Sequence, residues 1–130
     1  VWPDDEEVAA YLQRVDLADQ LWELNRQAED EIAAGRLGES GGGAIALLRQ
    51  ALELSPGQAR AMQNLAAVES ALIRRAELAA DADDFATANL WLDHAAKVRP
   101  DSATVPDARE RIADSVGTGY REGDSCLFFR

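Results

Sequence analysis

Cysteine and histidine are almost absent from this chain of 130 residues, which contains one of each, Cys126 and His94. A single cysteine cannot form an internal disulfide, so the sequence leaves the redox compartment open. His94 follows Asp93 in a helical pattern, and nothing nearby in the sequence supplies the nucleophile or metal that a catalytic dyad would need. We expect a structural role for it, at the surface or half-buried. We therefore predict no catalytic residues, no metal and no cofactor.

Basic residues and long apolar runs are also scarce. Thirteen Lys and Arg stand against 24 Asp and Glu, which gives a net charge of −11. Such a surface repels phosphate and anionic lipid, so we expect no nucleic acid partner and favour a protein or peptide of basic character. No stretch approaches the ~20 apolar residues that span a bilayer, and the acidic start does not resemble a signal peptide. We expect no membrane insertion and no targeting segment, and the location stays open between cytoplasm and bacterial periplasm.

Alanine is frequent whereas β-branched residues are sparse, a composition that favours helix over strand. Val8, Leu12 and Val15 follow a helical period, and a second apolar series begins at Leu17, so one bent helix or two are both allowed. Five glycines in "GRLGESGGG" predict a flexible loop, and later helical patterns end at Pro56 and Pro100. The sequence predicts an all-α chain of about five helices.

Two segments, "AIALLRQALELSP" and "ANLWLDHAAKVRP", match in register 44 residues apart. Small or apolar residues coincide along both, and each segment is preceded by a helix with an alanine at the matching place. Four matched pairs are 44 residues apart: Ala44 with Ala88, Leu48 with Leu92, Ala51 with Ala95, and Pro56 with Pro100. Ala28 and Ala76 are 48 apart, because the first repeat carries about four extra residues in its glycine loop. This pattern indicates an internal repeat of two helices, in which neighbouring pairs bury a shared core.

At these alanine, leucine and proline positions the chain resembles the tetratricopeptide repeat, although its period is 44 residues instead of 34. The resemblance implies a tetratricopeptide-like α-solenoid within residues 1–120. It comprises repeat one over about 16–56, repeat two over about 58–100 and a capping helix over about 104–116. A similar arrangement occurs in segments placed beside other domains of bacterial envelope proteins.

The resemblance further implies non-catalytic protein or peptide binding by an adaptor or scaffold, along a groove formed by the first helix of each pair. Family positions map to Trp22, Asn25 and Glu29 in the first repeat and to Ser70, Ile73 and Glu77 in the second. Lys and Arg are missing from these positions, so capture of a terminal carboxylate is not expected. The implied groove is acidic and partly apolar.

The C-terminal tail, residues 121–130, is the least ordinary segment. Burial of Leu127, Phe128 and Phe129 would each contribute about 1.5–3 kcal/mol, so we expect these side chains to contact something. One interpretation is that the tail caps the helical stack; another is that it docks into a second molecule, or that Cys126 is disulfide-bonded or modified. A self-associating structural module, and an accessory or regulatory segment of a larger protein or enzyme, remain alternative functions.

Overall fold

Residues 5–38 and 41–114 are described by a computed structural model, and they form five helices without a strand. The prediction of an all-α chain of about five helices is confirmed for these residues. In chain order the helices are α1 (Asp5–Ala33), α2 (Gly43–Leu54), α3 (Ala59–Asp81), α4 (Phe85–Val98) and α5 (104–114).

Two compact units make up the chain, with their boundary between Val68 and Glu69, inside α3. The buried apolar residues of the first unit are Leu21, Ala28, Leu37, Ala44, Ile45, Leu48, Ala51, Ala61, Leu65 and Val68. Those of the second unit are Leu72, Ile73, Ala76, Ala80, Ala88, Leu92, Ala95, Val105, Ala108 and Ile112. Many of these residues are alanines, which allow close approach between helix backbones while leucines fill the wider spaces.

The first helix, α1, is continuous over 29 residues and carries apolar side chains on two separate faces. Its buried face contains Leu21, Asn25 and Ala28. Exposed apolar residues lie about 120° away around the helix axis, given 3.6 residues per turn. We call this second set the α1 stripe; its members are Val8, Tyr11, Leu12, Val15 and Trp22. The shift in apolar phase near Leu17 therefore marks a change of face within one helix.

The glycine-rich loop between α1 and α2 closes tightly on its own backbone. Ala44 N–H donates to Arg36 O at 3.1 Å, and Ile45 N–H donates to Leu37 O at 3.0 Å. Gly43 has φ of +68°, and a Cβ there would stand 2.5 Å from Arg36 O. Only glycine fits this position at low cost, so at Gly43 it serves close approach and not merely flexibility.

The turns that start α3 and α4 use different local chemistry. Pro56 and Gly57 follow α2, and Gly57 adopts a positive φ of +78°. Before α4 the carboxylate of Asp84 accepts a hydrogen bond from Thr87 N–H at 3.2 Å and so caps the helix. Both turns are short, and the next helix begins within a few residues.

We expect Leu92→Ala to destabilise the protein far more than Leu90→Ala, although both residues belong to α4. Leu92 is fully buried, whereas Leu90 is 60% exposed. Truncation of Leu92 should lower the free energy of unfolding by about 2–5 kcal/mol through lost burial and a residual cavity. The exposed substitution should change it by no more than about 0.5 kcal/mol. Urea denaturation followed by circular dichroism measures both, and equal losses would contradict the assignment of the core.

Candidate binding surfaces

The three positions that the family resemblance selects in α1 have different environments. Trp22 is 57% exposed and belongs to the α1 stripe. Asn25 is fully buried, and Glu29 is half-buried. Asn25 and Glu29 lie together in one polar network with the start of α3, whereas no hydrogen bond of this network involves Trp22.

Asn25 is at the centre of this network. Its side-chain NH2 group donates to Leu21 O at 2.9 Å and to Gln58 Oε1 at 3.0 Å. Its Oδ1 accepts from Asn64 Nδ2 at 3.0 Å. Both N–H bonds of the amide are occupied, so Asn25 has no side-chain donor to offer a peptide while the network is intact.

Gln58 connects this network to the N-terminus of α3. Its Oε1 accepts from Ala61 N–H at 2.8 Å as well as from Asn25. A side chain that accepts from an amide in the first turn of a helix satisfies a donor that has no partner within the helix. Gln58 therefore caps α3 and joins it to α1 with the same oxygen atom.

Glu29 forms a bidentate ion pair with Arg60. Arg60 Nε donates to Glu29 Oε2 and Arg60 Nη2 donates to Oε1, each at 2.7 Å, and Asn64 Nδ2 donates to Oε2 at 2.8 Å. Hydrogen bonds from Arg60 and then from Asn64 lower the pKa of Glu29 to about 2. Its negative charge is thus matched within the first unit by a guanidinium.

The other three predicted groove residues, Ser70, Ile73 and Glu77, lie on the part of α3 that belongs to the second unit. Ser70 is exposed, and Ile73 is buried with 5% of its surface accessible. Glu77 accepts a hydrogen bond from Arg111 Nη2 of α5 at 3.0 Å. Ile73 therefore contributes to the core, and the charge of Glu77, like that of Glu29, is matched by an arginine.

Sequence reasoning missed Glu69, which is 1% exposed. Its Oε1 accepts from Ser102 Oγ at 3.1 Å and from Arg99 Nη1 at 3.4 Å, while its buried Oε2 has no partner among the described residues. Ser102 Oγ also accepts from Thr104 N–H at 3.2 Å, at the start of α5. Its burial could have been predicted from its place in the sequence, because Glu69 falls on the apolar face of α3 between Leu65 and Leu72.

An open groove lies between α1 and α2 in the first unit. Its volume is about 470 Å3, and its lining combines leucine, glutamine and glutamate side chains. The lining residues are Gln20, Glu23, Leu24, Gln50, Glu53 and Leu54. Both charged residues among them are acidic, and Leu54 is 42% exposed. We call this feature the α1–α2 groove.

Glu23 is the more constrained of the two carboxylates in the α1–α2 groove. Arg26 donates to Glu23 through two nitrogens, at 2.7 and 3.1 Å, and Gln27 donates at 2.8 Å. These hydrogen bonds, that from Arg26 first, lower the pKa of Glu23 to about 2. Glu53 is exposed on α2, on the opposite wall of the groove.

Trp91 and His94 lie together on α4, with ring centroids 6.0 Å apart. The guanidinium carbon of Arg75 is 5.0 Å from the centre of the Trp91 ring, in the range of a cation–π contact. Within residues 5–38 and 41–114, no group of three or more His, Cys, Asp or Glu side chains is arranged to hold a metal ion. These contacts give His94 an aromatic neighbour but do not assign it a chemical role.

The predicted tail contacts Cys126, Leu127, Phe128 and Phe129 lie outside the described residues. No helix among the described residues has the length and apolar character needed to cross a membrane. Comparison of the chain with protein-family models, with characterised proteins and with solved structures finds no match to any of them.

We expect Glu29→Gln to destabilise the protein at pH 7 but not at pH 2. The carboxyl group has a pKa of about 2 in the folded chain against an ordinary value of 4.5. Its contribution is therefore complete above about pH 4.5 and is lost as the pH falls towards 2. Because the pair is partly exposed, the loss at pH 7 should be about 0.5–1 kcal/mol.

Urea denaturation at pH 7, 4 and 2 measures this difference in the free energy of unfolding. Glu110→Gln, at an exposed position away from the N-terminus of α5, is the matched control and should have a near-zero effect at each pH. A difference between wild type and Glu29→Gln that stayed constant down to pH 2 would contradict the role assigned to the ion pair.

Proposed function

We propose that this chain is a non-catalytic binding module that holds a protein or peptide segment of basic character, as an adaptor or scaffold does. The α1–α2 groove is the proposed site. The observation that carries the proposal is the composition of its lining, in which two leucines, two glutamines and two glutamates surround a space of about 470 Å3. This surface is acidic and partly apolar.

The lining suits a short segment with alternating basic and apolar side chains. Leu24 and Leu54 offer apolar contact, and Gln20 and Gln50 offer amide donors and acceptors to a peptide backbone. Glu53 attracts a lysine or arginine from the exposed wall, and an overall charge of −11 favours approach of a basic partner.

We also propose that the chain is a tandem of two tetratricopeptide-like helix pairs, and matching internal features of the two units support this. In each unit the alanines and the leucine of the repeated pattern are fully buried: Ala28, Ala44, Leu48 and Ala51 in the first, and Ala76, Ala88, Leu92 and Ala95 in the second. In each unit, the side chain two residues after the proline caps the following helix and also bonds to a buried polar residue. In the first unit this side chain caps α3 and bonds to α1; in the second it caps α5 and bonds to α3. These side chains are Gln58 and Ser102.

We propose the α1–α2 groove, and not the positions implied by the family resemblance, as the peptide-binding site. Asn25 and Ile73 are buried, and Glu29 and Glu77 already pair with Arg60 and Arg111. These contacts leave the family positions with little unmatched charge or accessible apolar surface, apart from Trp22.

Binding of a labelled heptapeptide of alternating lysine and leucine tests the proposal. We expect saturable binding in fluorescence anisotropy, and about tenfold weaker binding by Glu53→Lys, because the substitution places a cation where the peptide's lysine would lie. A heptapeptide with glutamate in place of lysine should bind to neither protein.

Glu110→Lys is the matched control, since it makes the same change in net charge at an exposed position of α5. It should weaken binding by less than about twofold, as expected for screened, distributed charge. Equal weakening by the two substitutions would mean that the peptide responds only to net charge, and the proposed site would be wrong.

A further inference from the structure

We infer that the α1 stripe is an interaction surface for the apolar face of a basic amphipathic helix. This surface is separate from the α1–α2 groove, because none of its five residues lines that groove. The inference therefore goes beyond the proposed peptide site and is tested with different variants.

The α1 stripe is an unusual accumulation of exposed apolar surface. Val8 and Val15 are each 41% exposed, Tyr11 and Leu12 are 59% and 58% exposed, and Trp22 is 57% exposed. All five share one side of a continuous helix, so they form a patch and not scattered single residues. Contiguous apolar patches rimmed by polar residues mark interaction sites on soluble proteins.

The spacing of the α1 stripe fits a helical partner. Val8, Tyr11, Val15 and Trp22 follow the three- and four-residue steps of a heptad seam, with Ala18 at the intervening position. From Val8 to Trp22 the stripe extends about 21 Å, at 1.5 Å per residue, which is the length of about four turns. A second helix laid along it would meet apolar side chains at each turn.

An extended peptide suits this surface less well. The backbone amides and carbonyls in the middle of α1 bond to one another, so the helix offers no main-chain partners to an incoming strand. A strand docked there would bury polar backbone groups without compensation, whereas a helix satisfies its own. The partner should therefore be helical when bound.

The charges along the stripe favour a basic partner over a second copy of this chain. Residues 5–22 contain five carboxylates, Asp5, Glu6, Glu7, Asp16 and Asp19, against one guanidinium, Arg14, which gives a net charge of −4. At about 100° per residue, Asp5, Asp16 and Asp19 all lie on one flank of the stripe, whereas Glu7 and Arg14 lie on the other. Antiparallel pairing of two such helices would therefore bring the three aspartates of one copy against those of the other. Lysine and arginine flanking the apolar face of the partner would instead meet opposite charge.

A synthetic 18-residue helix with leucine at heptad positions and lysine on its flanks is the probe. We expect wild-type protein to bind it in fluorescence anisotropy, with affinity that falls as salt rises. The double variant Leu12→Gln with Val15→Gln should bind at least about tenfold more weakly, because it removes apolar surface that the docked helix would bury. Glutamine keeps helix propensity high, and circular dichroism verifies that α1 remains helical.

The double variant Leu78→Gln with Leu90→Gln is the matched control, because it removes two leucines that are 61% and 60% exposed elsewhere in the chain. It should bind the helical probe as wild type does, and so should the groove variant Glu53→Lys, within about twofold. Loss of heptapeptide binding by Glu53→Lys, with helix binding retained, separates the two sites. Failure of one proposal therefore leaves the other standing.

Four results would overturn the inference. Three of them concern the probe: equal weakening by the stripe and control variants, equal binding of a probe with glutamate in place of lysine, and no saturable binding of the basic helix. The fourth is evidence that a second copy of the chain or a lipid surface occupies the α1 stripe. Sedimentation equilibrium detects a second copy as a dimer that the stripe variant abolishes. Flotation with uncharged phosphatidylcholine vesicles detects a lipid surface in the same way.

Discussion

The side chains that follow the two prolines provide the constraint on which each unit depends. Gln58 accepts hydrogen bonds from the first turn of α3 and from buried Asn25, and Ser102 bonds to the start of α5 and to buried Glu69. A helix end needs partners for its free amides, and a buried polar side chain needs partners for its own atoms. One short turn meets both needs, which explains why a helix can stop and the next begin almost at once.

Much of the fold could be predicted from the sequence, because helix period and chain-breaking residues are local properties. Chain-breaking residues predict that helices end near Pro56 and Pro100, and the helix period predicts the buried alanines of the repeated segments. The continuity of α1 could not be predicted, since the apolar phase shift near Leu17 is equally compatible with a bend. Whether α1 is continuous or bent depends on which of its faces has a packing partner, and the tertiary structure determines that.

The candidate site was less predictable than the fold. Family positions select Asn25 and Ile73, but burial of these residues depends on neighbours distant in sequence, including Gln58 and Asn64 for Asn25. Negative charge was expected at Glu29 and Glu77, and both carboxylates are matched by arginines 31 and 34 residues later. A surplus of acids in the composition therefore does not say where unmatched charge is exposed.

Trp22 and Trp91 fall in different units and in unlike surroundings, which gives the chain an intrinsic optical reporter for each unit. Trp22 is 57% exposed on an acidic protein, whereas Trp91 is half-buried beside Arg75. An anionic quencher such as iodide should be repelled around Trp22, and caesium should be attracted there. A variant that retains Trp22 alone and another that retains Trp91 alone would therefore report on one unit each, without an attached dye.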